Sequence, residues 1–173
     1  MNFNEIYSNY KVIVYNVALH YSQSIEDAEE ITQDVFVSLF EKLQFFREDA
    51  SLKTWIYKIT VNKSLDFLRA KKRQKRFAFI TSIFTPDSTK TIEIPTSSHP
   101  GIELEEKENL NRLFNCINKL SENQKTVIIL LKVEQISQKE TAEIMGLTTK
   151  AVESLFQRAK NNLKSHLQNE GLD

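Results

Sequence analysis

The segment from Gln138 to Asn162 constrains the fold of this chain most, because two short helical patterns meet there at a tight turn. Ala142 is small enough to let a second helix approach the first closely. Gly146 can adopt the left-handed backbone conformation that ends a helix without a Cβ clash. Val152, ten residues after Ala142, is the expected inward anchor of the second helix. This spacing predicts a helix-turn-helix.

Residues with N-cap chemistry stand at the start of both short helices. Ser137 and Glu140 form a capping-box pattern before the first helix, and Thr148 is a suitable N-cap for the second. A helix held by such a turn can direct its N-terminal residues to base edges in the major groove of DNA. The alternative is an ordinary helical hairpin in an all-helical core. The combination of spacing and caps favours DNA binding.

The composition favours a small helical protein of a reducing compartment. Its 173 residues suffice for one domain or two small ones, and three Gly and three Pro leave room for long helices. Cys116 is the single cysteine, so no internal disulfide can form, and its apolar neighbours predict a buried side chain. The first residues lack signal-peptide character, and no apolar run is long enough to span a bilayer. We therefore expect a cytoplasmic protein without membrane insertion.

The net charge of zero conceals an acidic block followed directly by a basic one. Residues 1–50 carry three basic and nine acidic side chains, whereas residues 51–76 carry nine basic and one acidic. Six of the eight residues 69–76 are cationic, more than a helix C-terminus needs to complement its dipole. We expect this basic segment to contact phosphates. The acidic block is better suited to a basic protein surface.

Apolar residues at three- and four-residue steps predict helices along most of the chain. Residues 1–76 carry three such stripes; the second includes Phe36 and Phe40, and the third helix is expected from about Leu52 to Arg73. Helical period is lost over 77–103, which hold all three prolines, and returns from Leu104. The sequence therefore predicts an all-α fold of two small helical domains, 1–76 and 104–173, joined by a flexible linker, 77–103.

Enzymatic chemistry finds little support in the sequence. The three histidines, His20, His99 and His166, stand in separate segments, and no metal-ligand or phosphate-loop motif occurs. The carboxylates near the start of the second helix are explained by solvation and by the positive helix end. We expect no catalytic residue, metal, cofactor or small-molecule substrate.

Three blocks of this sequence resemble bacterial group IV sigma factors of the extracytoplasmic-function type. In chain order they are DAEEITQDVFVSLF, SLKTWIYKITVNKSLDFLRAKKRQKR and LSENQKTVIILLKVEQISQKETAEIMGLTTKAVESLFQRAKNNL. The resemblance covers nearly all of the chain outside the linker. It implies a transcription initiation factor that binds core RNA polymerase and promoter DNA, with melting of the DNA by the N-terminal domain. The polymerase would perform the chemistry.

The resemblance also implies roles for particular residues. The polymerase clamp would be engaged by Gln33, Asp34, Val35 and Phe36. The minus-ten promoter element would be read and opened by the loop Arg47–Thr54 with Lys58, Asn62 and Arg69, beside the cationic residues Lys71, Lys72 and Arg73. The minus-thirty-five element would meet Thr149, Lys150, Ser154 and Arg158. For Trp55, core packing is favoured over base stacking.

Three residues depart from the family pattern. Glu153 and Leu155 stand in the recognition helix where many members carry basic residues, and Val61 does so in the minus-ten block. We expect fewer phosphate anchors than usual at these positions.

The resemblance further implies an inhibitory anti-sigma factor, often membrane-associated. Two other classes of protein remain open. A stand-alone homodimeric helix-turn-helix regulator would leave the acidic block unexplained. A helical protein-binding adaptor would leave the cationic run at 69–76 unexplained.

Overall fold

The structure, a computed structural model, describes residues 2–46, 51–84 and 104–170, with side chains described for all of these except 78–84 and 104–107. The regular elements of this part of the chain are all helical, which confirms the predicted all-α class. The helices are α1 (Phe3–Ser22), α2 (Ile25–Lys42), α3 (Leu52–Phe84), α4 (Leu104–Asn118), α5 (Glu122–Ile128), α6 (Gln138–Met145) and α7 (Thr149–Asn169). A 3-10 turn (Leu43–Phe45) follows α2, and a π-helical turn (Ile129–Val133) extends α5.

The described chain separates into two compact units. One contains α1, α2 up to Glu41, and α3 from Ile59 onward. The other contains Lys42–Lys58 together with α4 to α7. The domain limits drawn from the sequence stay a prediction.

The core of the first unit follows the apolar stripes of the sequence. The buried side chains of its first two helices include Ile6, Val14, Val17, Ala18 and Tyr21 of α1 and Ala28, Ile31, Val35, Phe36 and Leu39 of α2. Phe40 was expected in the same stripe, and that expectation is wrong, because 67% of its surface is exposed.

Helix α3 is longer than the sequence pattern predicts. Its expected end lay near Arg73, yet the helix continues to Phe84 and takes up the first part of the expected linker. The segment beyond Arg73 lost its amphipathic period but contains no Gly or Pro, so nothing in it breaks a helix. The helix ends just before Thr85, which precedes Pro86 and is therefore disfavoured in the α conformation. The remaining expected linker, 85–103, lies outside the described residues.

Most predicted caps are present. The Ser137 side chain accepts from the Glu140 amide, and the Glu140 carboxylate returns to Ser137, completing the capping box. The Thr148 hydroxyl accepts from the Ala151 amide at 3.2 Å. Gly146 has φ +67°, as a left-handed helix end requires. These contacts confirm the two helix starts and the turn of the helix-turn-helix.

Two earlier helix starts are capped by serines. The Ser51 hydroxyl accepts from the Thr54 amide at 3.1 Å, as predicted for α3. The Ser24 hydroxyl accepts from the Asp27 amide at 3.3 Å at the start of α2. The Asp27 carboxylate is directed elsewhere, however, and pairs with Lys71 of α3.

The core of the second unit is built from helices α4 to α7. Val152 and Ala159 of α7 are fully buried against Ala142 of α6, which confirms the predicted packing of the helix-turn-helix. Cys116 is fully buried, as its apolar neighbours indicated. The remaining members of this cluster are Ile117, Leu120, Val127, Ile128 and Phe156.

The second unit also contains Tyr57, a residue of the start of α3. Its hydroxyl donates to Glu134 Oε2 at 3.0 Å, and only 4% of the residue is exposed. Burial, and after it the negative charge of Glu134, raises the pKa of the Tyr57 phenol. The phenol therefore remains a donor at neutral pH, and the contact fixes segment 42–58 on this unit.

Lys125 of α5 gives the second unit a pH-dependent stability. The residue is 6% exposed, and its ammonium donates to Asn118 Oδ1 at 2.5 Å. Burial lowers the pKa of Lys125 from 10.5 to about 8. In the folded state the proton is lost near pH 8, whereas in the unfolded state it stays until pH 10.5. The unfolded state binds more protons within this window, so stability from this group rises with pH.

We therefore expect Lys125→Met to be more stable than the wild type at neutral pH, with an advantage that shrinks as pH rises toward 10. The change should be on the order of 3 kcal/mol at most. Urea unfolding at several pH values measures it, with the exposed Lys139→Met as the control. If the difference in the free energy of unfolding between wild type and Lys125→Met does not vary with pH, the prediction is wrong.

Candidate functional site

Helix α2 divides the four residues predicted to bind the polymerase. Gln33 and Asp34 are exposed, but Val35 is fully buried and Phe36 is 6% exposed. Successive helix residues point about 100° apart, so four consecutive residues cannot all face one partner. Val35 and Phe36 therefore lie in the core of the first unit, and the polymerase contact expected of them stays a prediction.

Two exposed apolar residues of α2 were missed as surface residues. Val37 is 57% exposed and Phe40 is 67% exposed, and both lie within about 40° of Gln33 around the helix axis. Residues 35–40 contain five apolar side chains in six positions, more than one helix face can bury. This excess of apolar residues is the feature of the sequence from which an exposed apolar residue on α2 could have been predicted. We call Gln33, Asp34, Val37 and Phe40 the α2 face.

Aromatic contacts with α1 hold the α2 face in place. The rings of Phe3 and Phe40 meet edge to face with centroids 5.2 Å apart, and Phe3 meets Phe36 in the same way at 6.3 Å. Tyr7 contacts Phe36 at 4.7 Å. Edge-to-face pairs of this kind are favourable beyond the area they bury. Phe40 is therefore exposed but held against the Phe3 ring.

Helix α3 presents a polar face between Lys58 and Arg69. Lys58 and Asn62 are exposed one helical turn apart, and further along Arg69 donates to Asp66 Oδ1 at 3.1 Å. Val61 is 5% exposed, so in this chain its side chain lies in the core. We call Lys58, Asn62 and Arg69 the α3 face. The predicted loop residues Arg47–Ala50 lie outside the described residues.

The aromatic residues beside that loop pack on one another. The rings of Phe46 and Trp55 are 4.9 Å apart and inclined at 36°. Trp55 is partly buried, so its ring serves packing, as expected, while one side still meets solvent.

The cationic residues between positions 71 and 76 of α3 differ in exposure. Lys72, Arg73, Lys75 and Arg76 are exposed. Lys71 instead pairs with Asp27 of α2, and its side chain is 34% exposed. An open groove of about 580 Å³ separates the acidic side of α2 from the basic side of α3. Its charged lining residues are Asp27, Glu30, Asp34, Lys63, Asp66, Lys71 and Arg73.

The recognition helix α7 presents its four predicted residues to solvent. Thr149 and Lys150 form its first turn, with Ser154 and Arg158 following on the exposed side; the Arg158 guanidinium reaches the Ser154 carbonyl at 3.5 Å. Leu155 is partly buried and packs against the core cluster. Glu153 is exposed.

No described helix offers an apolar stretch that would cross a lipid bilayer. Within the same residues, His, Cys, Asp and Glu side chains form no group of three that would hold a metal ion.

Comparison with known proteins assigns both halves of the chain. Residues 6–74 match the model of sigma-70 region 2, and residues 110–163 match that of sigma-70 region 4. The RNA polymerase sigma factor NccH of Alcaligenes xylosoxydans is 30% identical over 142 residues, which are 82% of this chain and 74% of that protein. The RNA polymerase sigma factor CnrH of Cupriavidus metallidurans is 26% identical over 170 residues, 95% of this chain and 86% of that protein.

Solved structures agree on the fold. CnrH in complex with the cytosolic domain of CnrY has a TM-score of 0.68 and 23% identity, over 96% of this chain and 88% of that chain. The sigma factor RpoE in complex with the anti-sigma factor NepR from Bartonella quintana has a TM-score of 0.67 and 21% identity, over 96% of each chain.

The chain belongs to the sigma-70 family of RNA polymerase sigma factors, in its extracytoplasmic-function group. It is a transcription initiation factor. A stand-alone helix-turn-helix regulator or an adaptor would not account for region 2 over residues 6–74, so neither alternative is favoured.

Proposed function

We propose that this sigma factor recognises promoters through two separate DNA contacts while its α2 face holds core RNA polymerase. The N-terminal domain, residues 1–76, reads and opens the minus-ten element, and the C-terminal domain, residues 104–173, binds the minus-thirty-five element. Two weak contacts on one linked chain add through effective concentration. The presence of regions 2 and 4 in this order supports the proposal most directly. The chain carries no active site of its own and works in the cytoplasm, where the polymerase acts.

The polymerase contact is assigned to the α2 face. Gln33 and Asp34 supply a hydrogen-bonding group and a negative charge, and Val37 and Phe40 supply ordered apolar surface beside them. An exposed apolar patch with a charged rim is typical of a protein-binding site. The charge of Asp34 selects a basic partner surface, as the polymerase clamp would have to provide.

The minus-ten contact is assigned to the α3 face and the exposed cations that follow it. Asn62 can both donate to and accept from a base edge, whereas Lys58, Lys72 and Arg73 can contact only acceptors such as phosphate oxygens.

The minus-thirty-five contact is assigned to the start of α7. Thr149 and Lys150 occupy the first turn, the part of a recognition helix that reaches base edges. Ser154 and Arg158 lie further along the exposed side and are assigned to the DNA backbone.

An anti-sigma factor is the expected inhibitor. CnrH and RpoE were each solved with a partner, the cytosolic domain of CnrY and the anti-sigma factor NepR. Since this chain shares their fold, we assign it a partner of the same kind. A partner that resembles CnrY would have a cytosolic domain and would be associated with the membrane. Such a partner would occlude the surfaces described above.

Co-purification with core RNA polymerase tests the proposal. The chain is expected to elute with core enzyme in gel filtration. The complex is expected to bind promoter DNA, which the chain alone binds weakly. A homodimer that binds DNA tightly without polymerase would contradict it.

A further inference from the structure

One ion pair joins the two helices that carry the proposed polymerase and minus-ten surfaces. The Lys71 ammonium of α3 contacts Asp27 Oδ2 of α2, and the two residues stand 44 positions apart in the chain. The Asp27 side chain is 14% exposed and that of Lys71 is 34% exposed. The pair is therefore shielded from water more than an ordinary surface salt bridge, whose contribution is small.

The direction of Lys71 separates it from the residues around it. Asn62 and Lys71 are nine positions apart on one helix, so they point about 180° away from each other at roughly 100° per residue. Arg69 and Arg73 both lie within about 20° of Asn62, and Lys72 lies within about 80°. Lys71 and Lys75, the latter about 140° from Asn62, thus both face away from the α3 face. Lys75 is exposed, whereas the Lys71 side chain is 34% exposed and paired with Asp27.

The surroundings of Lys71 also restrain its side chain. Its ammonium lies 6.0 Å from the centroid of the Phe67 ring, which belongs to the same helix and lines the same groove. The amide of Asp27 donates to the Ser24 hydroxyl at the start of α2, so the carboxylate is anchored at a capped helix start. An ammonium group that contacts both a shielded carboxylate and an aromatic ring has little freedom to move.

We propose that Asp27 is a positioning residue, which holds Lys71 away from DNA and thereby sets the α3 face relative to α2. Phosphate contact then falls to Lys72, Arg73 and Arg76, and the expectation that Lys71 contacts DNA is replaced by a role inside the protein. The inference rests on the proposed minus-ten function of α3.

Two neighbouring lysines give a matched test with holoenzyme on promoter DNA. Lys72→Gln should lower the log–log salt slope of binding by about 0.7–0.9, the loss of one phosphate contact, whereas Lys71→Gln should leave the slope unchanged. Lys71→Gln and Asp27→Asn should each slow open-complex formation about fivefold. This is between the effect of breaking an exposed salt bridge and that of breaking a buried one. The double variant should be no slower than either single one, and Glu30→Gln controls for the lost acid charge.

Each remaining outcome has a definite meaning. If Lys71→Gln lowers the salt slope as much as Lys72→Gln does, Lys71 contacts phosphate and the inference is wrong. It is also wrong if the two single effects multiply in the double variant, or if open-complex formation is unaffected. If neither lysine changes the slope, the proposed DNA contact of this helix end fails, and the inference fails with it. Should a single variant unfold, the charge-swapped Asp27→Lys/Lys71→Asp protein is expected to restore opening, and its failure to do so counts against the pair.

Discussion

Asp34→Arg is expected to abolish association with core RNA polymerase, and with it all transcription that depends on this sigma factor. The residue is exposed on the α2 face, so the substitution leaves the buried side of the helix intact. It places a positive charge where the proposed partner surface is basic, and like charges across an interface cost several kcal/mol. Gel filtration with core enzyme measures the association, and circular dichroism measures the helix content.

A charge reversal elsewhere in the same unit controls for net charge. Glu5→Arg alters an exposed carboxylate in the first turn of α1 and is expected to retain core binding. A folded Asp34→Arg protein that still supports transcription at the wild-type level would show that the α2 face is not the polymerase contact.

Asn62→Ala is expected to lower open-complex formation and to relax the preference for one base of the minus-ten element. An amide that pairs with a base edge contributes roughly 1–3 kcal/mol of discrimination, which is about a five- to 150-fold effect at one position. Asn62 is exposed in the middle of a helix, where alanine is the better helix former, so stability should not fall. Transcription from a promoter library randomised at both elements measures the preference.

Two further variants complete that experiment. Arg158→Ala removes a group late in α7, so it should cost affinity with little change in the preferred minus-thirty-five sequence. Asn4→Ala removes an exposed amide from α1 and should alter neither element. If Asn62→Ala leaves every base preference of the minus-ten element unchanged in the promoter library, Asn62 does not read a base and its amide has a structural role.

Local chemistry allowed the helix-turn-helix to be predicted from the sequence. Gly146 has the left-handed conformation expected of it, Ser137 and Thr148 form the expected caps, and Val152 is fully buried. Each of these features depends on residues within about ten positions of one another. Such short-range contacts are the ones that a sequence pattern can represent.

The direction of side chains in α2 and α3 was harder to predict. The sequence places Val35, Phe36 and Phe40 in one stripe, yet Phe40 is 67% exposed although its ring contacts Phe3 of α1. The six cations of 69–76 are alike in composition, and Lys71 differs from them because Asp27, far away in the chain, lies beside it. Long-range partners of this kind become visible when the helices are assembled.

Run-off transcription with purified core polymerase shows whether this protein directs initiation at promoters. The templates are taken from start sites mapped in cells that overexpress the protein. We expect transcripts that require the protein and that are lost when either the minus-ten or the minus-thirty-five element is scrambled. Transcription no greater than that of core polymerase alone, or indifferent to both elements, would contradict the proposed role as a sigma factor.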